Sequence, residues 1–195
     1  FSKAQLTLAF NWEATGRGDG KFDAKKFLAI NFEHLKSKDL VPDAEYVSRL
    51  VPFLAKRGVA SPDPARVAAC LPAIRDRAHT FVEAAEALDY FFRPEPVLDE
   101  KAAAKFLVKD RAPVLRDYAA ALAEVTAWTE ADLEARTDAF LAACGLAIKD
   151  VAQPVRVALT GRSASPGLYQ VLALLGRETS LARLDAAARA AEARG

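Results

Sequence analysis

Residues 152–176 read AQPVRVALTGRSASPGLYQVLALLG, and RETSLARL follows directly. Apolar residues dominate the stretch, and Pro154, Gly161, Pro166, Gly167 and Gly176 punctuate it. Proline removes a helix hydrogen bond and glycine favours helix ends, so the segment is expected to divide into short helical pieces. Ser165 before Pro166 has the pattern of a helix N-cap with proline in the first turn. Arg156 stands between Val155 and Val157, so its guanidinium needs a partner, either an internal carboxylate or an external anion. From about Glu178 to Ala193 the pattern is an amphipathic Leu/Ala/Arg helix.

Working outward, the same helical period recurs along the chain. Phe27, Ile30 and Leu35 share one face of a helix expected between Phe22 and Lys36. Asp43 is placed to cap a helix running to Arg57, with Val47, Leu50, Val51 and Leu54 as its apolar stripe and Gly58 at its end. Pro62 and Pro64 mark a turn and a new start. A long helical pattern then runs from Ala65 to about Phe92, where Pro72 is expected to kink or split it. Arg93-Pro94-Glu95-Pro96 ends that pattern and forms the best internal boundary. Beyond it, Asp99 caps a helix towards Lys109, Pro113 opens another, and Thr129 to Asp132 resembles a weak capping box for a helix ending near Gly145. No β-hairpin signal is present. The expectation is an all-α, multi-helix chain in two lobes, divided near Pro94 to Asp99.

Composition narrows the function classes. The chain has 195 residues, 52% of them apolar, which suffices for a packed core. A net charge of +1 excludes attachment to nucleic acid by bulk charge alone, so any RNA contact has to be local. Residues 151–195 nevertheless carry six arginines against Glu178, Asp185 and Glu192. Cys70 and Cys144 lack CxxC spacing and read as two reduced, buried thiols of a cytosolic protein. His34 and His79 have no companions at metal-ligand spacing, so no zinc site is expected. No apolar run reaches the ~20 residues of a membrane helix. The absence of an initiator Met before Phe1 suggests a part of a longer protein.

Enzyme motifs are missing. The sequence has no GxSxG elbow, no P-loop and no GxGxxG after a strand. Gly16-Arg17-Gly18-Asp19-Gly20 reads as a loop, and Asp110, Arg111, Arg116 and Asp117 as a solvated ionic face.

The opening stretch also resembles a family. Gln153-Pro154-Val155-Arg156, then Ala158-Leu159-Thr160-Gly161, Ser165-Pro166 and Leu174-Leu175-Gly176 closely resemble the tail of bacterial glutamyl-tRNA synthetases. Tyr90-Phe91-Phe92 before a proline-rich break, Trp128-Thr129, and Phe22-Asp23-Ala24-Lys25-Lys26 with Asn31 resemble further segments of that family in the same order, so nearly the whole chain is covered. Two departures stand out. Phe27 to Asn31 replaces a usual Leu-Asp-Trp-Leu-Asn, and Gly16, Gly18 and Gly20 replace Ser-Lys-Ser.

The resemblance implies an all-α anticodon-binding domain of the class I glutamyl-tRNA synthetase type. Residues 1–41 would be the end of a stem-contact region and a linker. Residues 42–98 and 99–195 would form two helical anticodon-binding subdomains. The partners implied are the anticodon loop of glutamate tRNA and a catalytic domain of the same polypeptide, in a cytoplasmic monomer. The HIGH-like and KMSKS-like motifs are absent, so no cofactor is expected here, and ATP and Mg belong to the parent enzyme. The chain alone is expected to be inactive in aminoacylation.

Four residues carry over as anticodon contacts. Arg77 matches the arginine that reads the third anticodon base, where its donor fork suits cytosine; otherwise it is a helix-surface arginine. Arg156 matches the arginine of the Gln-Pro-x-Arg run. Ser165 and Leu168 match positions lining the first-base pocket, with Leu168 open to a plain core role. A different class of function also fits the helical pattern: a non-enzymatic RNA-binding or scaffold module related to the synthetase tail.

Overall fold

A computed structural model describes residues 1–16, 18 and 20–194, and among these every regular element is helical. Arg17 and Asp19 of the glycine-rich loop lie outside the described residues. Eleven α-helices run in order: α1 Lys3–Ala9, α2 Ala24–Lys36, α3 Asp43–Lys56, α4 Pro64–Ile74, α5 Phe81–Leu88, α6 Glu100–Phe106, α7 Ala112–Ala123, α8 Glu130–Cys144, α9 Ile148–Thr160, α10 Leu168–Leu175 and α11 Arg177–Glu192. Short 3₁₀ segments follow α5 at Asp89–Phe92 and precede α7 at Lys109–Arg111.

Helices α3, α4 and α5 pack on one another, and α6 to α11 form a second group in which α11 lies along α7 and α9. The chain passes from one group to the other through Arg93–Leu98. The two groups share buried surface, because α10 also packs on α4. Arg162 and Arg183 also donate across the junction, to the Asp89 carboxylate and the Tyr90 carbonyl, and other donors tie the second group together. The Trp128 indole donates to the Leu172 carbonyl at 2.8 Å, and the Arg177 guanidinium lies 5.0 Å from its ring centre. By contrast, α1 buries no residue and α2 buries only Leu35. Phe1, Leu8, Trp12 and Phe22 are between 75% and 87% exposed.

Local chemistry explains most boundaries. The Asp23 carboxylate accepts from the amides of Lys25 and Lys26 and starts α2. Asp63 caps α4 with Pro64 at its first position, Asp99 caps α6, and Thr129 caps α8. Gly145 and Gly161 end α8 and α9 in the left-handed region, at φ 64° and 78°.

Several expectations are corrected. Pro72 and Pro154 do not divide their helices; α4 and α9 run through them. An internal proline costs ~3 kcal/mol. Burial of Leu71, Ala73 and Ile74 in one case, and of Val155, Val157 and Leu159 in the other, offsets that loss. The pattern after Ala65 breaks instead at residues 75–80, where Thr80 caps α5 through the Glu83 amide. Asp43 is not a cap but the first residue of α3, because its carboxylate is taken by Arg75 at 2.5 Å and by Lys38 at 3.2 Å. Ser165 does not cap α10, which starts at Leu168 after Gly167 without a side-chain cap. Cys70 is buried as expected, but Cys144 is exposed at the end of α8.

Candidate nucleic-acid interface

A concave surface forms where the α4–α5 turn faces the α9–α10 loop. It encloses a cavity of about 340 Å³ lined by Ile74, Arg77, Tyr90, Arg162, Ser165 and Pro166, among others. Both walls are built by arginines used as scaffolding. On the first wall, Arg75 is buried and donates through Nε to the Lys36 carbonyl at 3.1 Å, through Nη1 to Asp43, and through Nη2 to the carbonyls of Ser37 and Val41. Its guanidinium also stacks 4.9 Å from the Tyr46 ring centre. Arg75 thereby fixes the turn that carries Arg77, two residues on. Arg77 is exposed, and among the described residues its guanidinium has no hydrogen-bond or ion-pair partner.

On the second wall, Arg156 is half-buried and its Nη1 donates to Ser165 Oγ at 2.8 Å and to the carbonyls of Ser165 and Pro166 at 3.1 Å each. The Ser165 hydroxyl in turn donates to the Pro166 carbonyl at 2.9 Å. The partner that Arg156 needed is therefore the loop itself, not a carboxylate. Burial lowers the Arg156 pKa, Tyr90 beside it opposes that effect, and the neighbouring Arg77 charge lowers it further. Two guanidinium groups thus converge on the same concavity. Arg156 Nε and the Tyr90 hydroxyl are buried and lack a partner among the described residues. Unsatisfied buried donors cost ~1–3 kcal/mol each unless something completes them.

The structure thus brings three of the four sequence-derived residues together. Arg77 and Ser165 line the cavity and Arg156 braces its rim. Leu168 does not line it; as the first residue of α10 it is 7% exposed and belongs to the core. Two cavity residues escaped sequence reasoning. In the sequence Tyr90 stands out only as part of an aromatic run. Arg162 sits in the Thr-Gly-Arg-Ser turn, whose pattern says nothing about where the side chain goes. It donates to the Glu86 carbonyl and to Asp89 Oδ1, the latter at 3.0 Å, and so ties the α9–α10 loop to α5.

A planar base fits such a site. Arginine forks donate to base edges, an aromatic ring and proline offer stacking surface, and single-stranded loops present splayed bases. Among the described residues no group of three or more His, Cys, Asp or Glu could hold a metal ion.

Comparison with known proteins finds relatives along nearly the whole chain. The chain is 38% identical over 189 residues to the glutamate–tRNA ligase of Anaeromyxobacter sp. (strain Fw109-5), covering 97% of this chain and 39% of that protein. It is 35% identical over 189 residues to the glutamate–tRNA ligase of Syntrophobacter fumaroxidans, covering 97% and 40%. It therefore spans about two fifths of the length of these relatives. A crystal structure of a glutamate tRNA ligase from Elizabethkingia meningosepticum superposes with a TM-score of 0.77 over 92% of this chain and 35% of that one, at 19% identity, which establishes the shared fold. Residues 45–188, which hold both walls of the cavity, match the model of the anticodon binding domain, and the chain belongs to that family.

Proposed function

We propose that this chain is the anticodon-reading part of a bacterial glutamate–tRNA ligase and that the cavity between Arg77 and Ser165 receives bases of the glutamate tRNA anticodon loop. The observation that carries this reading is the Arg77 guanidinium, exposed, unpartnered among the described residues, and aimed at a cavity beside Tyr90 and Ser165. Arg77 reads the third base, and Arg156 presents the Ser165–Pro166 loop to the first. Leu168 supports that loop from the core rather than touching RNA. The joining of glutamate to tRNA, with its ATP and Mg, belongs to the remaining length that the relatives possess, and the chain by itself is inactive in that reaction. The exposed apolar side chains of α1 and the 10–22 segment pack against that catalytic part. The full enzyme works as a cytoplasmic monomer.

The test is a fluorescence-anisotropy titration of this chain with the anticodon stem-loop of glutamate tRNA and with versions altered at each anticodon base. Preferential binding of the matched loop is expected. Equal affinity for all loops would reject anticodon reading and favour a general RNA-binding or scaffold module.

A further inference from the structure

Next to the cavity just described lies a second hollow, of about 670 Å³, with Glu86, Arg162 and Ala164 common to both. At its floor is Asp89, 3% exposed. Three arginines from separate segments converge on this one carboxylate. Arg57, at the end of α3, donates through Nε to Oδ2 at 2.9 Å. Arg162 reaches Oδ1 at 3.0 Å, and Arg93 stands 3.9 Å from Oδ2.

A buried carboxylate needs one close cation to offset its desolvation. Three leave two guanidinium charges in excess at this point. Lys56 adds another cation at the rim, while Glu86 and Asp99 also line the hollow, so its formal charge is +1. The Asp99 carboxylate is occupied with the Ala102 amide, which it accepts at 2.7 Å. Donor capacity is also left over. Arg57 uses only Nε, so both its Nη groups are free among the described residues, and Arg93 engages the Arg57 carbonyl through one Nη alone. Arg57 is one-third exposed and Arg93 one-quarter, so these donors face water. Gly58 turns the chain at φ 82° beside the Arg93 guanidinium, a left-handed conformation that favours glycine.

We infer that this Asp89-centred arginine cluster is a phosphate site for the RNA backbone, separate from the base-reading cavity. A fork of donors preorganised by a buried carboxylate matches a phosphodiester's oxygens. The two hollows share Glu86, Arg162 and Ala164, so a strand with a base in the first cavity can lay its backbone over the second. The inference rests on the proposed RNA-binding role, but its chemistry is sequence-independent. It also explains how a chain with a net charge of +1 gains local affinity for RNA.

The experiment measures stem-loop affinity between 50 and 200 mM salt for the wild type, Lys56→Gln and Arg57→Gln. Each lost phosphate contact is expected to reduce the slope of log K against log salt by about 0.7, the single-strand value, and to weaken matched and altered anticodons alike. Among the described residues the Lys56 ammonium makes no hydrogen bond or ion pair and lies 5.4 Å from the Phe53 ring centre, so Lys56→Gln reports even if Arg57→Gln disturbs folding. An unchanged slope in Lys56→Gln and in folded Arg57→Gln overturns the site. Stabilisation by inorganic phosphate that Arg57→Gln removes, together with an unchanged RNA slope, would mark a free-phosphate site and also overturn it. A wild type that binds all anticodons equally, with the slope still reduced in the variants, would reject anticodon reading yet uphold this site.

Discussion

Gly161 offers the most demanding test of the packing described above. It ends α9 at φ 78°, and its carbonyl accepts from the Asp99 amide at 2.8 Å. An added Cβ would come within 2.8 Å of the Val97 carbonyl carbon and closer still to its oxygen. These are backbone atoms, so no rotamer change relieves the clash. In Gly161→Ala, a left-handed alanine costs about 1 kcal/mol. Displacing the 97–99 strap breaks the Asp99 amide bond, worth about 1 kcal/mol. Misplacing the Asp99 cap of α6 costs about 1 kcal/mol more. The total is roughly 3 kcal/mol, or a fall in Tm of about 6–12 °C for a chain of this length.

Gly145→Ala is the control. Gly145 is also left-handed, at φ 64°, but a Cβ there meets nothing within 4 Å. That variant should lose only about 1 kcal/mol. Thermal melting followed by circular dichroism at 222 nm compares the two directly. If Gly161→Ala melts no lower than Gly145→Ala, the strap is not packed on the end of α9.

Arg77→Gln removes the free guanidinium and should weaken the preference for cytosine at the third anticodon base by about 1–3 kcal/mol, measured as stem-loop affinity ratios; loss of all binding instead would mean a folding defect. Arg183 is 3% exposed and donates to the carbonyls of Leu159, Tyr90 and Arg93, so Arg183→Met should orphan them and cost about 3 kcal/mol in urea unfolding. Burial pushes the Cys70 thiol up from 9.0 to about 11, with the Arg66 charge opposing, and the Tyr46 phenol from 10.0 to about 12, with Arg75 opposing. Both raised values stabilise the fold fully below pH 9 and lose that contribution as pH climbs through 9–11 and then 10–12. Cys70→Ala should therefore delay the alkaline fall of the urea midpoint by about one pH unit, and an unshifted onset would reject the thiol's part.

From α3 onward helix existence was legible because the helices bury apolar faces, whereas α1 buries no residue and left no such signal; helix breaks were less legible because tertiary packing decides them. Pro72 and Pro154 look like stops in one dimension, yet their neighbours are buried on both sides and hold the helix together. The true break at residues 75–80 follows from Arg75 turning inward to four acceptors on the α2–α3 connection, a contact 32 to 39 residues distant in the chain. A local sign did exist: Thr80-Phe81-Val82-Glu83 has the spacing of an N-cap and its N3 acid. Ser165 misled in the opposite sense. Its Ser-Pro pattern is a cap pattern, but Arg156 claims the hydroxyl, so the helix starts two residues later.

The arginines account for the site's character. Arg75 and Arg183 satisfy backbone carbonyls from inside, Arg156 and Arg162 tie the α9–α10 loop down, and Arg77 is left facing the cavity. A lysine could not replace Arg183, whose planar fork spans carbonyls on two segments, Leu159 on one and Tyr90 and Arg93 on the other. The division follows from burial. A guanidinium spent on carbonyls adds rigidity without neutralising its charge, so Arg156 fixes the shape of the rim while remaining a cation. Rigid donors lose little entropy on meeting a base. On the proposed reading, selectivity then falls to Arg77, whose guanidinium faces the base-reading cavity with its donors unspent. The scaffold is expected to set how tightly any loop binds, and Arg77 to set which loop binds best.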